Sequence, residues 1–262
     1  MSSPATREVL RPSELFGLDG RVAIVTGASS GLGDRFARVL AAAGAQVVGA
    51  ARRVERLERL AAEVEGVEAF PCDVSVDEDL ERLVASTLER HGQVDVLVNN
   101  AGISGVYPAA EEPPEHFRRV VDVNLNAVFV LSQIAGRSML ERGTGSIINI
   151  ASMYGLVASA PVTHASYCAS KGAVVNMTRE MGAQWARGGV RVNALAPGFF
   201  PSEMASEMIS DDRSAAYVRR NTPMGRPGEP HELDGALLFL AGDASSYVVG
   251  QTIAVDGGWT AR

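Results

Sequence analysis

Short apolar runs alternate with longer amphipathic segments along almost the whole chain. The short runs are rich in Val, Ile and Ala, which is typical of strands buried on both faces of a parallel sheet. We predict seven strands, at residues 22–26, 46–50, 67–70, 94–98, 146–150, 190–194 and 252–255. The segments between them carry apolar residues every three or four positions and predict helices. These helices span 31–43, 54–64, 77–91, 114–142 with an interruption near Asp122, 165–187, 202–218 and 230–241.

This alternation predicts an α/β fold, in which a single doubly wound, Rossmann-type domain has about seven parallel strands and helices on both faces of the sheet. Residues 1–19 are expected to form a loose leader before a domain that spans residues 20–262. Residues 199–222 mix methionines with polar residues after a strand end. They form either a mobile lid or a pair of surface helices. We favour the lid, since ligands bind beyond the carboxyl ends of strands in this architecture.

Composition narrows the classes of function. Of the 262 residues, 46% are hydrophobic, which is enough for a large core, and the net charge of −7 argues against a general nucleic-acid or anionic-membrane surface. The two cysteines, Cys72 and Cys168, form no disulfide framework and have no metal-ligand spacing with the four histidines. No signal peptide or transmembrane run is apparent, so we expect a cytoplasmic protein without a metal site.

Three glycines lie between the first predicted strand and the first predicted helix, in the segment Thr26-Gly27-Ala28-Ser29-Ser30-Gly31-Leu32-Gly33. Glycines permit a tight turn and let the backbone approach a pyrophosphate, and the free N–H groups of the helix N-terminus attract phosphate. We therefore predict a dinucleotide site at Gly27, Ser29, Ser30, Gly31, Leu32 and Gly33. The alternative is a glycine-rich turn that binds no ligand.

The end of the second strand indicates which dinucleotide binds. An acidic residue there would bind the ribose 2′-hydroxyl, whereas arginine accommodates a 2′-phosphate. Arg52 and Arg53 follow this strand without a carboxylate. The sequence thus favours NADP(H) over NAD(H), although both arginines could instead be solvated charges at a helix start.

Two later strand ends add polar candidates. Asp73 is positioned to accept a hydrogen bond from an adenine amino group, with Val74 against the ring, but it could equally cap a turn. Asn100, Ala101 and Gly102 follow the fourth strand. They either border the dinucleotide and tie strands together, or form an ordinary Asn–Gly turn.

A tyrosine and a lysine lie four residues apart in the predicted helix 165–187, so Tyr167 and Lys171 share one helix face. A phenol works as an acid or base near neutral pH only if its pKa falls well below its ordinary value of about 10. An ammonium about 4 Å away supplies roughly the 4 kcal/mol that this requires. The pair therefore predicts proton transfer, and the alternative is a packed aromatic beside a solvated amine.

Together these motifs resemble the short-chain dehydrogenase/reductase family in its compact form. The matching residues are Thr26 to Gly33, Asp73, Asn99-Asn100-Ala101-Gly102, Asn124, Ser152, Tyr167 with Lys171, Pro197-Gly198 and Val255-Asp256-Gly257-Gly258-Trp259. Their order and spacing match from about residue 20 to residue 259. The pattern is similar to 3-oxoacyl-carrier-protein reductases and to gluconate or sugar-alcohol dehydrogenases.

The resemblance implies a role for each matched residue. Tyr167 would give the proton in reduction and take it in oxidation, while Lys171 would hold the nicotinamide ribose and lower the tyrosine pKa. Ser152 would hydrogen-bond the substrate oxygen, and Asn124 would anchor a water in a proton relay. Further cofactor contacts are expected at Pro197, Gly198, Phe200 and Ser202, the last standing where a threonine is usual. Alternatives are a turn cap for Ser152, a backbone contact for Asn124 and a helix cap for Ser202.

The sequence therefore predicts an NAD(P)-dependent oxidoreductase that interconverts a carbonyl and a secondary alcohol of a small molecule. The interval from Ser152 to Tyr167 is slightly longer than is usual in this family, and residues 159–164 are expected to form a bulged loop near the substrate. In this loop His164 either contacts the substrate or lies at the surface. The resemblance implies a homotetramer. A dinucleotide-binding sensor or scaffold without turnover is the alternative function, and a nucleotide-sugar epimerase would need a longer substrate domain.

Overall fold

A computed structural model describes residues 9–201, 203 and 212–261. Seven parallel strands form one sheet in the order β3-β2-β1-β4-β5-β6-β7. The strands are β1 (Val22–Thr26), β2 (Gln46–Ala51), β3 (Val67–Pro71), β4 (Val96–Asn99), β5 (Gly145–Ile150), β6 (Val190–Pro197) and β7 (Thr252–Val255). The chain builds outward from β1 to β3 and then returns to add β4 on the other side of β1. The predicted doubly wound α/β fold is confirmed, and its strand order reverses between β1 and β4, where such folds bind ligands.

Helices cover both faces of the sheet. They are α1 (Pro12–Phe16), α2 (Gly31–Ala42), α3 (Val54–Glu63), α4 (Asp77–His91), α5 (Pro114–Val121), α6 (Ala127–Arg142), α7 (Ala165–Trp185), α8 (Asp212–Asn221) and α9 (Asp234–Ala241). Apolar residues of α2, α3 and α9, including Phe36, Leu57 and Leu237, pack on one face of the sheet. Those of α4, α6 and α7, including Leu83 and Met139, pack on the other face. Every residue of β1 is buried, as expected for a central strand with helices on both sides.

Buried amides fix α6 and α7 to the middle of the sheet. The Asn99 side chain donates to Ser132 Oγ of α6 and to Asn149 Oδ1 of β5, both at 2.9 Å. Asn149 in turn donates to Thr178 Oγ1 of α7 at 2.9 Å. Because each buried amide has a partner, this ladder specifies the register of β4, β5 and the two helices without the cost of unpaired polar groups.

The predicted interruption near Asp122 is a π-helical segment, Asp122–Asn126, which joins α5 to α6. Such segments shift the phase of a helix by inserting extra backbone between successive turns, and they frequently lie at functional sites. Here the segment carries Asn124, whose side chain is fully buried.

Two segments differ from the expectations. Residues 12–18 of the expected leader are ordered, because α1 forms and Leu18 is fully buried, with its N–H donating to Ala43 O at 2.7 Å. Strand β6 extends to Pro197, because its last residues pair with β7 as far as Val255. Of the helix predicted at 202–218, α8 accounts for the later part, and most of the rest lies outside the described residues.

Within the described ranges, none of the helices is both long and apolar enough to span a bilayer. Over the same residues, His, Cys, Asp and Glu side chains form no group of three or more that could hold a metal ion.

Candidate active site

The carboxyl ends of the six strands β1 to β6 open into one cleft of about 1650 Å³. It is lined by most of the residues that the sequence singles out, namely Gly27, Ser29, Ser30, Gly31, Leu32, Arg52, Arg53, Asp73, Val74, Asn100, Ala101, Gly102, Ser152, Tyr167, Lys171, Pro197, Gly198 and Phe200. Gly33 and Asn124 lie behind its wall, and Ser202 lies outside the described residues. The candidate nucleotide and proton-transfer residues thus share one cavity.

The glycine segment forms a tight loop that ends in the N-terminus of α2. Gly27 and Gly31 have φ angles of 70° and 57°, in the left-handed region that other residues rarely adopt. A Cβ on Gly33 would overlap the carbonyl oxygen of Gly27, so only glycine permits this approach of helix to loop. Ser30 precedes α2 in an extended conformation and its side chain makes no capping hydrogen bond. The first amides of α2 are therefore free to bind an anion.

Thr26 and Asn100 join the loop to the end of β4. Thr26 Oγ1 accepts hydrogen bonds from the N–H groups of Asn100 and Ala101 at 3.0 and 3.1 Å, and Asn100 Nδ2 donates to Thr26 O at 2.9 Å. Asn100 and Ala101 thus both tie strands together and border the cleft. Thr26 begins the glycine motif but was not predicted as a site residue, because its role depends on Asn100, which lies 74 residues away in the sequence.

The two arginines take different positions. Arg53 donates to Ser29 Oγ at 3.2 Å and to Ser30 Oγ at 2.5 Å, so its guanidinium lies against the glycine loop. The Arg52 side chain is 63% exposed and its Nη1 lies 3.9 Å from Asp73 Oδ2. Both line the cleft, and the alternative in which they point only to solvent does not hold for Arg53.

Asp73 caps a turn and also lines the cleft. Its Oδ1 accepts hydrogen bonds from the Ser75 N–H and hydroxyl, at 3.0 and 2.7 Å, which is the turn cap. Burial opposes ionisation of this carboxyl, but the Ser75 hydrogen bonds and the nearby Arg52 together lower its pKa. The ionised side chain also lines the cleft beside Val74.

Ser152, Tyr167 and Lys171 meet at the other end of the cleft. Ser152 follows β5, and its Oγ accepts a hydrogen bond from Tyr154 N at 3.1 Å, which leaves the hydroxyl proton to be donated elsewhere. Lys171 Nζ donates to Ile150 O at 2.6 Å and lies 5.7 Å from the centre of the Tyr167 ring. The lysine is only 4% exposed, so its ammonium is held beside the tyrosine in a protein environment and not in bulk water.

The predicted direction of the tyrosine pKa is wrong for this arrangement. Burial raises the pKa of Tyr167 above its ordinary value, and the hydrogen bond with Ser152 offsets only part of that rise. Burial also lowers the pKa of Lys171 to about 8. Desolvation disfavours the charged form of both groups, and the ammonium donates to a backbone carbonyl, so proximity in sequence does not translate into an acidic phenol.

Asn124 is committed to other protein groups. Its Oδ1 accepts from Ile103 N at 2.8 Å, and its Nδ2 donates to Ile103 O at 2.8 Å and to Ser170 Oγ at 3.2 Å. Ser170 Oγ in turn donates to Tyr167 O at 2.8 Å. Asn124 therefore holds the segment after β4 against the helix that carries the tyrosine. Ser170 was missed by the sequence reasoning, although it lies between the tyrosine and the lysine.

The longer loop between Ser152 and Tyr167 closes one wall of the cleft. His164 is 7% exposed, its Nδ1 lies 2.9 Å from Gly105 O, and its ring centre is 6.1 Å from that of Tyr167. Tyr107 N donates to Thr163 O at 3.1 Å, which joins this loop to residues 103–107. Of the two alternatives for His164, the surface position is excluded, and the residue lines the cleft beside the tyrosine.

The residues present fit a pyridine dinucleotide. Glycine backbone and free helix amides at one end suit a pyrophosphate, arginines flank that end, and an acid–base set occupies the other end of the same cleft. A dinucleotide extended along the cleft would thus reach from Arg53 to Tyr167.

Comparison with known proteins agrees with this geometry. A family model described as enoyl-(acyl carrier protein) reductase matches residues 27–260. Galactitol 2-dehydrogenase (L-tagatose-forming) of Cereibacter sphaeroides is 43% identical over 94% of this chain and 97% of its own length. Gluconate 5-dehydrogenase of Gluconobacter oxydans strain 621H is 40% identical, with 94% and 97% covered.

Solved structures give the same result. A gluconate 5-dehydrogenase from Burkholderia cenocepacia J2315, in complex with NADP and tartrate, is 39% identical with a TM-score of 0.91, covering 96% of this chain and all of the other. A short-chain type dehydrogenase/reductase from Mycobacterium marinum is 38% identical with a TM-score of 0.90, covering 95% and 99%. With its fold, its cleft and these relatives, the chain belongs to the short-chain dehydrogenase/reductase family of NAD(P)-dependent oxidoreductases.

Proposed function

We propose that the protein is an NADP(H)-linked dehydrogenase that interconverts a ketone and a secondary alcohol of a polyhydroxylated small molecule, such as a sugar alcohol or a sugar acid. The observation that carries this proposal is the meeting of Ser152, Tyr167 and Lys171 at the end of a cleft whose other end is the glycine loop. Relatives named for galactitol and gluconate oxidation support the substrate class.

Each side chain has a distinct task in this proposal. The Tyr167 hydroxyl gives its proton to the substrate oxygen in reduction and accepts it in oxidation. The Ser152 hydroxyl, whose oxygen already accepts from Tyr154 N, donates to the same substrate oxygen and stabilises the charge that develops there. Lys171 is held by Ile150 O and presents its remaining protons to the cleft. The nicotinamide, when bound, supplies or accepts the hydride.

The pKa directions set how pH acts on the two directions of reaction. Because burial raises the pKa of Tyr167, the phenol keeps its proton at neutral pH and is ready to serve as an acid in reduction. Oxidation needs the phenolate and therefore gains as pH rises. In this scheme Asn124 positions the turn of α7 that carries Tyr167, through its hydrogen bond to Ser170. The backbone of Asn124 would also hold a water molecule that relays protons.

Arginine chemistry supports NADP(H) over NAD(H). Arg53 lies against Ser29 and Ser30, and the exposed Arg52 guanidinium lies 3.9 Å from Asp73 in the lining of the same cleft. Both arginines are therefore available to a phosphate at the 2′ position of a ribose in this cleft. The NADP-bound gluconate 5-dehydrogenase of Burkholderia cenocepacia adds support. Gly27, Gly31, Leu32 and Gly33 would then carry the pyrophosphate. Asp73 and Val74 would carry the adenine, and Pro197, Gly198, Phe200 and Ser202 the nicotinamide side.

Turnover and binding experiments test the proposal together. NADPH and NADH are titrated by fluorescence, and activity is screened over sugar alcohols, sugar acids, keto acids, cyclic ketones and acyl thioesters. We expect tighter binding of NADPH, a smaller preference in Arg52→Ala, and turnover of a polyol or keto sugar acid. Tyr167→Phe should bind NADPH nearly as the parent does and lose most turnover.

Wild-type turnover by Tyr167→Phe on a verified substrate would refute the proton role. Tighter binding of NADH by the parent would refute the cofactor preference. Tight cofactor binding without activity on any substrate of the panel would favour a sensor or scaffold.

The lid, the assembly and the location belong to the same proposal. Val218 of α8 packs with Met153, Tyr154 and Phe199, which supports a lid over the substrate end of the cleft. Of the lid expected at residues 199–222, residues 202 and 204–211 lie outside the described residues. Exposed Phe117 on α5 and Phe129 on α6, with the open edge of β7, support a homotetramer, for which light scattering is the test.

A cytoplasmic location is tested by cell fractionation.

A further inference from the structure

One carboxylate lies across the arginines at the mouth of the cleft. Glu203 follows β6 along the chain, yet its Oε2 lies 2.8 Å from Arg53 Nη1 and its Oε1 contacts Arg56 Nη1. The hydrogen bonds from Arg56 and Arg53 lower the pKa of Glu203 to about 2. The side chain is therefore a carboxylate at any pH at which the enzyme would work, and it lines the same cleft.

Each nitrogen of the Arg53 guanidinium donates one hydrogen bond to a protein group. Its Nε donates to Ser29 Oγ, its Nη2 to Ser30 Oγ and its Nη1 to Glu203 Oε2. Two of these partners belong to the glycine loop and the third comes from the segment after β6. Arg53 thus bridges the loop to an anion supplied by the protein itself.

A phosphate on the ribose 2′ position would need the same donors. Arginine binds phosphate through parallel N–H groups, and here one of those groups already points to a carboxylate. A phosphate dianion beside Arg53 would also lie close to the negative charge of Glu203, and like charges at that distance repel. A 2′-hydroxyl, being neutral, would meet no such repulsion.

We infer that Glu203 is an internal competitor for the 2′-phosphate, which occupies Arg53 and Arg56 and thereby reduces the preference of the enzyme for NADP(H) over NAD(H). The inference rests on the proposed NADP(H) function. Glu203 follows β6 in the sequence and yet acts on the arginines that follow β2. It would therefore help to set cofactor specificity from a segment distant in sequence from β2. A carboxylate that instead fastens the segment over a bound dinucleotide would have the contrary effect on affinity.

Glu203→Gln separates these two roles, because it keeps the size of the side chain and removes the charge. NADPH and NADH are titrated into the parent and the variant by nicotinamide fluorescence. Since exposed ion pairs have modest strength, we expect the Kd for NADPH to fall about threefold to tenfold and that for NADH to change less than about twofold. Adenosine 2′,5′-bisphosphate and 5′-AMP, used as competitors, should show the same difference.

Glu115→Gln is the matched control. Glu115 is another exposed carboxylate that lines the cleft, and it lies 3.8 Å from Arg118, away from Arg53 and Arg56. Its neutralisation removes the same unit of charge and should leave the ratio of the two Kd values within about twofold of the parent.

Weaker or unchanged binding of NADPH by Glu203→Gln overturns the inference, as does an equal gain in Glu115→Gln, which would indicate a long-range effect of net charge. Absence of NADPH binding in all three proteins overturns both this inference and the proposed cofactor. If the proteins bind NADPH with the expected ratios but turn over no substrate, the catalytic proposal fails and the role of Glu203 stands.

Discussion

Lys171 is the only lysine among the 24 Lys and Arg residues of the chain. All the others in that group are arginines, which keep their charge when buried, whereas the smaller ammonium of lysine can change its pKa. The single exception lies where the structure holds a buried cation next to a tyrosine. Its chemistry can therefore be observed without interference from any other lysine side chain.

The lowered pKa of Lys171 gives a direct prediction. In protein labelled with ε-¹³C-lysine, the spectrum should contain one lysine signal, and this signal should titrate with a pKa of about 8 because burial disfavours the ammonium. An unfolded sample at high denaturant supplies the control and should titrate near 10.5. A folded-state value at or above that of the unfolded chain would contradict the desolvation argument.

The same shift predicts how stability varies with pH. Between pH 8 and 10.5 the unfolded lysine keeps its proton while the folded one has lost it, so the unfolded state binds more protons and the free energy of unfolding rises with pH. The rise should be about 1 kcal/mol by pH 9, measured by urea denaturation. The Lys171→Met variant should lack this rise. Equal slopes of the free energy of unfolding against pH in the two proteins would contradict the prediction.

At the scale of elements, helix α2 and the glycine loop act as one unit. The first turn of α2 lies so close to the loop that a Cβ on Gly33 would overlap Gly27 O and approach Asn100 Nδ2. The obstructing atoms are mostly backbone, which cannot move aside as a flexible side chain does. Sequence spacing identified the glycines, but only this contact explains why the third one has no substitute.

Gly33→Ala should therefore lower stability by about 1–3 kcal/mol, since overpacking forces backbone to shift. It should also weaken NADPH binding at least about tenfold, because the loop amides lose their alignment. Denaturant titration and fluorescence measure the two effects. Gly235→Ala is the matched control: this glycine lies within α9 with open space around its Cα, and alanine there should stabilise by about 0.5–1 kcal/mol. Equal outcomes for the two variants would contradict the packing argument.

Elements that depend on local pattern agree closely with prediction, and the departures have a common cause. Helix α4 begins at Asp77 with acidic residues in its first turn and ends at Gly92, whose φ is 76°, as its sequence indicates. Strand β6 is longer than predicted because β7, which pairs with its last residues, comes some 55 residues later. The ordered structure of residues 12–18 likewise depends on the burial of Leu18 against distant helices.

At the scale of the whole molecule, the cleft joins the carboxyl ends of the six strands β1 to β6 to the loops that follow them. A ligand that spans it binds only the folded chain and stabilises it by mass action. At a free NADPH concentration of about 100 times Kd, the gain is about 2.7 kcal/mol, which should raise Tm by roughly 5–10 °C for a chain of this length.

Differential scanning fluorimetry with and without NADPH measures this shift. Gly33→Ala, measured at the same NADPH concentration, should show at most about half of this shift if its binding is at least about tenfold weaker. A parent protein whose Tm does not respond to NADPH at any concentration would contradict the assignment of the cleft as a dinucleotide site.

The sequence by itself determined the parallel α/β fold, the glycine loop, the arginines after β2 and the spacing of Tyr167 and Lys171, because these depend on periodicity and on residues that are neighbours along the chain. The tertiary structure decided the burial, the pKa values and the contacts of those groups. Burial, which no local pattern reports, raises the pKa of Tyr167 and lowers that of Lys171. Contacts across 150 residues bring Glu203 to Arg53, because only the folded sheet joins the end of β6 to the end of β2.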